Sequence, residues 1–362
     1  MFKILSIDES YNSQMLPILE ASPIQANGLN LYFDKSPDIF KIARMKYTQS
    51  EHLGFFRGDE LMGCASLGYY DALIKGEKEQ IFTFFNFYLK PEARGRMLAE
   101  RAMKEFFFET NGKANYGISV SMKGNRKVES YIGRDVYNWM PPIRIIDELV
   151  VKSIIFSLPK QNRTKYIVRD AHMDDIPEMI KLLNDEHRQR DFGAIFQEDE
   201  FLPMLEKRGL KIENYFIALD KKGEVKGVCL AWDCSLFRRT RVMQFSTEFY
   251  PALYAYKVLE KLLPMAPFPK EGEAFNELTI TDFAATDRNE IIMHALLSEI
   301  YHRNLNRKYH FMNFGSCLSD PILKGANGFL YKNIVSNILY TSFDAEQFNY
   351  QPRLPYIDIA LL

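Results

Sequence analysis

One order of elements, read twice along the chain, most constrains the fold. Residues 52–70 (HLGFFRGDELMGCASLGYY) and 215–232 (YFIALDKKGEVKGVCLAW) both alternate apolar and polar positions around a charged, Gly-containing turn. That is the pattern of a β-hairpin. Gly63 matches Gly227 and Glu60 matches Glu224, and a small, apolar strand follows in each case. Further on, each half reads strand, amphipathic helix, strand, shorter helix. The first copy covers residues 80–89, 96–109, 114–122 and 126–133, the second 277–284, 289–303, 308–316 and 320–325. RMLAERAMKEFF and EIIMHALLSEIYHRN carry apolar residues at helical spacing, so each covers one face of a sheet. Strands alternating with helices predict a mixed α/β sheet with a parallel portion. Repetition over a domain-length offset predicts a duplicated unit.

At 362 residues the chain exceeds the length at which one core stops growing, so two domains are expected, residues 1–158 and 159–362. The join falls at residues 157–165 (SLPKQNRTK), where an apolar strand gives way to polar residues and a proline. Gly63 and Gly227 are offset by 164 and Asn86 and Asp282 by 196, so the second half carries about 32 extra residues before its central strand. They include an expected helix, YPALYAYKVLEKLL, and a basic run, Arg238, Arg239 and Arg241, read as a solvated loop or a contact to an anionic substrate. A formal net charge of −1 argues against a broad phosphate-neutralising face, so no nucleic-acid partner is expected. Cys64, Cys229, Cys234 and Cys317 form no CxxC pair, which predicts buried free thiols and no metal site. Free thiols and the lack of a signal-peptide or membrane-span pattern predict a soluble, cytoplasmic protein with no membrane partner.

Residues 84–107, FFNFYLKPEARGRMLAERAMKEFF, read as an aromatic strand, a turn and an amphipathic helix. The first turn of such a helix presents unpaired N–H groups and the positive end of its dipole. Arg94 and Arg96 add charge there, which suits a pyrophosphate; an ordinary basic helix start with solvated arginines is the plainer account. The order and spacing resemble motif A of the GNAT (GCN5-related) acyltransferases, whose loop Gln/Arg-x-x-Gly-x-Gly/Ala grips the pyrophosphate of acetyl-CoA. Set on that loop, the sequence supplies Arg94, Gly95, Arg96, Met97, Leu98 and Ala99, with Met97 where the family has its central Gly.

Residues 119–134, SVSMKGNRKVESYIGR, resemble GNAT motif B, a strand that ends in Asn before a helix carrying a Tyr. In the family the two central strands splay and the pantetheine arm lies between them. The resemblance implies that Asn125 contacts the cofactor and that Tyr131 protonates the departing CoA thiolate, although the Asn-to-Tyr interval is one residue short. It places the N–H donors for the thioester around Phe85 and Phe87. Glu79, at the start of that strand, is the residue available as a base; a solvated strand end is the plainer reading. Against Arg94 to Ala99 the second half reads EIIMHA, residues 290–295, with Glu290 in place of a phosphate-binding residue and His294 read as structural. GANGFLYKN, residues 325–333, resembles the Gly-Phe that closes motif B.

The resemblance therefore implies two GNAT-like domains in tandem, each a mixed β-sheet flanked by helices, the second degenerate. It implies transfer of an acyl group, most simply acetyl from acetyl-CoA, to an amine on a small molecule or peptide. A transferase using a longer acyl-CoA or an aminoacyl-tRNA and a non-catalytic acyl-CoA binder are the alternatives.

Overall fold

The computed structural model describes residues 2–26, 28–95, 97–133, 137–160 and 164–362. Arg96 of the phosphate loop and residues 161–163 of the expected join lie outside the described residues. The first half runs β1 (Phe2–Ser6), α1 (Asn12–Glu20), β2 (Ile24–Ala26), β3 (Leu29–Asp34), α2 (Lys41–Lys46), β4 (Gln49–Arg57), β5 (Glu60–Ile74), β6 (Glu77–Leu89), α3 (Leu98–Thr110), β7 (Tyr116–Met122), α4 (Arg126–Glu129) and β8 (Ile143–Ile155). The second runs β9 (Ile167–Asp170), α5 (Ile176–Arg188), α6 (Glu198–Arg208), β10 (Tyr215–Leu219), β11 (Val225–Asp233), β12 (Arg239–Phe245), α7 (Tyr250–Leu262), β13 (Glu277–Ala285), α8 (Glu290–Arg303), β14 (Phe311–Cys317), β15 (Tyr331–Ser342) and α9 (Ala345–Asn349).

The repeated order is real. β4–β5 and β10–β11 are the antiparallel hairpins, with Phe55 opposite Gly63 and Ala218 opposite Gly227. Neither glycine has room for a Cβ: it would stand 2.5 Å from Leu89 at the first and 2.4 Å from Ile292 at the second. In each half the central strand then runs parallel to the strand beyond its crossover helix, β6 beside β7 and β13 beside β14. α3 covers one face by burying Leu98, Ala102, Phe106 and Phe107, with Phe107 edge-on to Phe84 at 5.1 Å. α8 is buried almost all round, by Ile292, Met293, Leu296, Leu297 and Ile300 among others. Each such side chain contributes about 1.5–3 kcal/mol by leaving water. All four cysteines are buried free thiols.

The two sheets are joined as one. The strand order is β1-β4-β5-β6-β7-β15-β8-β14-β13-β11-β10-β9. β7 of the first half pairs with β15 of the second, β14 of the second with β8 of the first, and β8 and β15 pair at the centre from Tyr331 opposite Ile154 to Thr341 opposite Ile143. Each half is completed by a strand from the other.

Two expectations fail locally. The helix expected over residues 126–133 stops after one turn, because Ile132 bridges to Ile143 and the Gly133 N–H donates to the Ile143 carbonyl, drawing the chain into the sheet. The basic run is no solvated loop. Arg239 opens β12, which pairs antiparallel with β3, and both Arg239 and Arg241 bind Asp34, at 2.9 and 2.6 Å. Arg238 donates to the carbonyls of Ile359 and Leu362, each at 3.1 Å. The run fastens one half to the other through a three-stranded sheet of order β12-β3-β2.

Candidate active site

The central strands of the first half part company early. β6 and β7 pair at Ile81 opposite Tyr116 and Phe82 opposite Gly117, then diverge, with a 3.4 Å hydrogen bond from the Phe84 N–H to Ser119 Oγ across the opening. Just beyond, Asn86 takes a positive φ of 50° and the β5–β6 register slips, so that Asn86 and Phe87 together face Ala65. This is a β-bulge, which leaves a backbone group outside the ladder and bends the strand. Phe84 packs on Phe107 and Phe85 on Tyr47, both half-buried, and Phe87 is 45% exposed.

At the mouth of the wedge the chain turns through a 3-10 turn, Pro91–Ala93, into α3. Arg94 is exposed and donates to the Ala21 carbonyl at 3.4 Å. Gly95 has a positive φ of 71° and open space where a Cβ would stand. Met97 is the N-cap, also left-handed at φ 54°, with a side chain 59% exposed that points away from the core. Met97 offers no side-chain cap, so the N–H groups of Leu98 and Ala99 have no acceptor from it, while the Glu100 carboxylate lies against its own N–H.

Glu100, missed in the sequence, stands in that first turn and organises its inner side. It is buried, accepts Lys127 Nζ at 2.5 Å and accepts the Tyr131 hydroxyl at 2.6 Å. Burial pushes the Glu100 carboxyl up, but the bonds from Lys127 and Tyr131 more than offset this and hold it below its ordinary range. Burial, then the Glu100 bond, raises the Tyr131 phenol. A Glu in the third helical position is the one local sign that could have flagged Glu100. Asn125 is the N-cap of α4, accepting from the Val128 N–H at 3.4 Å, and lies exposed beside Lys127.

The expected site residues therefore divide. Phe85, Phe87, Arg94, Gly95, Met97, Leu98 and Ala99 follow one another along the β6–loop–α3 segment, Tyr131, just past α4, reaches Glu100 of α3, and Asn125 caps α4. Glu79 stands apart: six residues before Phe85 along an extended strand, it is roughly 20 Å away.

The second half has the same splay in a different state. β13 and β14 pair from Glu277 opposite Phe311 to Ile280 opposite Phe314, and a second bulge follows at Asp282, φ 41°. This wedge is filled. Arg190, 1% exposed, places its guanidinium 5.7 Å from the Phe283 ring on one arm and 3.3 Å from Ser316 Oγ on the other, and pairs with Glu186 at 2.6 Å and with Asp320. The matching of residues 290–295 to Arg94 to Ala99 also needs correction. Twelve residues separate Asn86 from the first residue of α3, but only eight separate Asp282 from that of α8, so Glu290 corresponds to Leu98 and the second half lacks the loop itself. His294 bonds to the Gly325 carbonyl at 2.8 Å and is structural, and the 325–333 fragment leads from a 3-10 turn into β15.

No protein-family model matches the sequence, and neither does any curated protein. Solved structures do match in fold. Yeast (Saccharomyces cerevisiae) N-myristoyltransferase with bound myristoyl-CoA aligns over 95% of this chain and 79% of its own, at 11% identity and a TM-score of 0.60. GCN5-related N-acetyltransferases from Anabaena variabilis (10% identity, 94% and 72%, TM-score 0.52) and Kribbella flavida (14%, 95% and 72%, TM-score 0.50) also match. At such identities the likeness is one of fold, and this chain has the tandem GNAT-like fold.

Proposed function

We propose that this tandem GNAT-like chain is an N-acyltransferase whose first half, residues 1–158, holds acyl-CoA and whose second half, residues 159–362, walls the acceptor cleft. The observation that carries the reading is the contrast between the two wedges. An open splay with a bulge, ending at an uncapped helix N-terminus, suits an extended thioester with a pyrophosphate at its far end. The wedge filled by Arg190 leaves no such space, so one site per chain is expected.

Within this reading each residue has a role. Arg94 and the N–H groups of Leu98 and Ala99 receive the pyrophosphate, with Gly95 allowing close approach. The bulge at Asn86 and Phe87 presents backbone N–H to the thioester oxygen as it gains charge. The acceptor amine attacks the acyl carbon directly, so positioning supplies most of the rate. Asn125 flanks the arm of the donor, and Tyr131, held by Glu100, gives its proton to the departing thiolate. Glu79 lies too far along the strand to act as the base. Acetyl-CoA is the smallest donor for such a site, and a small molecule or a peptide N-terminus the acceptor.

A non-catalytic acyl-CoA binder is the second reading, favoured by one fact: the Tyr131 hydroxyl is already engaged by Glu100. A thermal-shift panel of acetyl-CoA, longer acyl-CoAs and free CoA tests binding, since a ligand specific for the folded state raises its melting point. Thiol release with a panel of small amines and short peptides separates the two readings. No shift with any of these ligands would refute both. Among the described residues no helix is long and apolar enough to cross a membrane.

A further inference from the structure

The two bulges are built alike and differ in one chemical respect. In each half a cation from an earlier segment of that half binds the side chain at the bulge, half-buried Arg208 in the second and buried Lys35 in the first. In the second half Arg208 meets Asp282 at 2.7 Å, and Tyr215 donates to the same oxygen at 3.0 Å. Arginine keeps its proton at any working pH, and the carboxylate neutralises it. In the first half Lys35 Nζ meets Asn86 Oδ1 at 2.6 Å, with both residues buried. An amide brings no negative charge, so this ammonium has no counter-ion at its hydrogen-bond partner.

Among the described residues the surroundings add none. Around Lys35 stand the Tyr88 ring of β6, 6.0 Å away, the Cys64 thiol of β5, Lys46 of α2 and Arg238 of the second half. Burial, with Arg238 and then Lys46 adding to it against a small opposing effect of Cys64, lowers the Lys35 amine to about 7. Its direction is fixed from both sides. Asp34 is held by Arg239 and Arg241, and the carbonyl and hydroxyl of Ser36 accept from Arg239 at 2.7 and 2.6 Å. The small sheet that fastens the halves thus also aims Lys35 at the bulge.

We propose that Lys35 is the general base of acyl transfer, taking the proton from the acceptor amine at the β6 bulge. This rests on the acyltransferase reading above. The amine nitrogen bonds to the acyl carbon while its proton passes to Lys35 Nζ. The C–S bond then breaks and the thiolate takes a proton from Tyr131; afterwards the Lys35 ammonium gives its proton to solvent and Tyr131 regains one from solvent. The products are an amide and the CoA thiol, and no other reactant is consumed. At the same place in the second half a charged arginine cannot take a proton.

The neutral amine is the working form, so kcat rises with pH through about 7 and then levels. Lys35→Arg keeps the charge but cannot release it, and Lys35→Met keeps the length. Both are expected to lose about 10²–10⁴-fold in kcat and the acid limb of the pH profile, with acetyl-CoA affinity by calorimetry unchanged. Lysine 15N NMR of the intact wild-type chain, assigned by the signal missing in Lys35→Arg, should show that one amine titrating near neutrality. If wild type binds and turns over acetyl-CoA but Lys35→Arg keeps rate and pH profile, the base assignment falls alone. A Lys35 signal titrating near the ordinary lysine range overturns it too, whatever the turnover. If wild type binds no acyl-CoA, the acyltransferase reading falls first and this proposal with it.

Discussion

Removing Arg190 should expose how the second wedge was closed. Its guanidinium is 1% exposed and is shared by Glu186, Asp320 and Ser316. Deleting one member of a buried ion network leaves charges with no solvent to receive them, a loss of about 3–5 kcal/mol. Arg288 stays behind with Nη2 3.4 Å from Glu186, which offsets part of the deficit. Arg190→Met should therefore sit at the low end, about 3 kcal/mol. If all 362 residues melt as one unit, as a continuous sheet implies, that is a Tm loss of roughly 4 °C. Urea melts followed by tryptophan fluorescence measure the free energy, and calorimetry the Tm. A second variant separates charge from packing. Arg190→Met combined with Asp320→Asn leaves Glu186 paired with Arg288 and removes the other carboxylate, while Asn keeps the cap on the Ile322 N–H, which Asp320 now provides at 3.1 Å. It should recover most of the loss, because replacing a buried network costs far less than breaking it. A single variant costing under about 1 kcal/mol, or a double variant worse than the single, would refute the plugged wedge.

Four further outcomes are expected. Arg94→Glu should weaken acyl-CoA binding at least about tenfold in calorimetry, since a charge-assisted contact becomes a repulsion, and leave stability unchanged because Arg94 is exposed. Tyr131→Phe should cost about 1–3 kcal/mol of stability through the lost bond to Glu100 and slow turnover about 10²-fold at constant acyl-CoA affinity; a wild-type rate would pass the thiolate's proton to Lys35 directly. Calorimetry should return one acyl-CoA per chain, unchanged by Glu290→Arg, and a stoichiometry of two would end the division of labour between the halves. Stability should rise with pH from about 7 to 9. Burial lowers Lys35 to about 7 and Lys46 to about 8, so the folded chain has shed protons that the unfolded chain keeps until about 10.5. The slope is at most about 1.4 kcal/mol per pH unit for each amine, and Lys35→Met should remove its share. Above about 9 the buried thiols, Cys64 pushed up to about 12 among them, turn the sign the other way.

Much of this architecture was legible in local pattern. Alternation at period two marked β4–β5 and β10–β11, spacing at 3.6 marked α3 and α8, and their recurrence announced two copies of one unit. A strand, a glycine-bearing turn and an amphipathic helix at residues 84–107 located the loop at Arg94 and Gly95. These features are written in consecutive residues, because hydrogen-bond periodicity dictates them within a few positions of the chain. The exchange of β8 and β15, the β3–β12 sheet, Arg190 in the second wedge and Lys35 at the bulge were not legible. An isolated Lys35 or Arg190 reads as a surface residue, since nothing near it in sequence says that Asn86 or Asp320 will stand beside it. Nor does any periodicity distinguish a strand that pairs within its own half from one that crosses over, because a period of two fixes which face a side chain takes and not which strand lies alongside. Those contacts join residues far apart in the chain, and their stability comes from groups that only the folded sheet brings together in a place from which water has been removed.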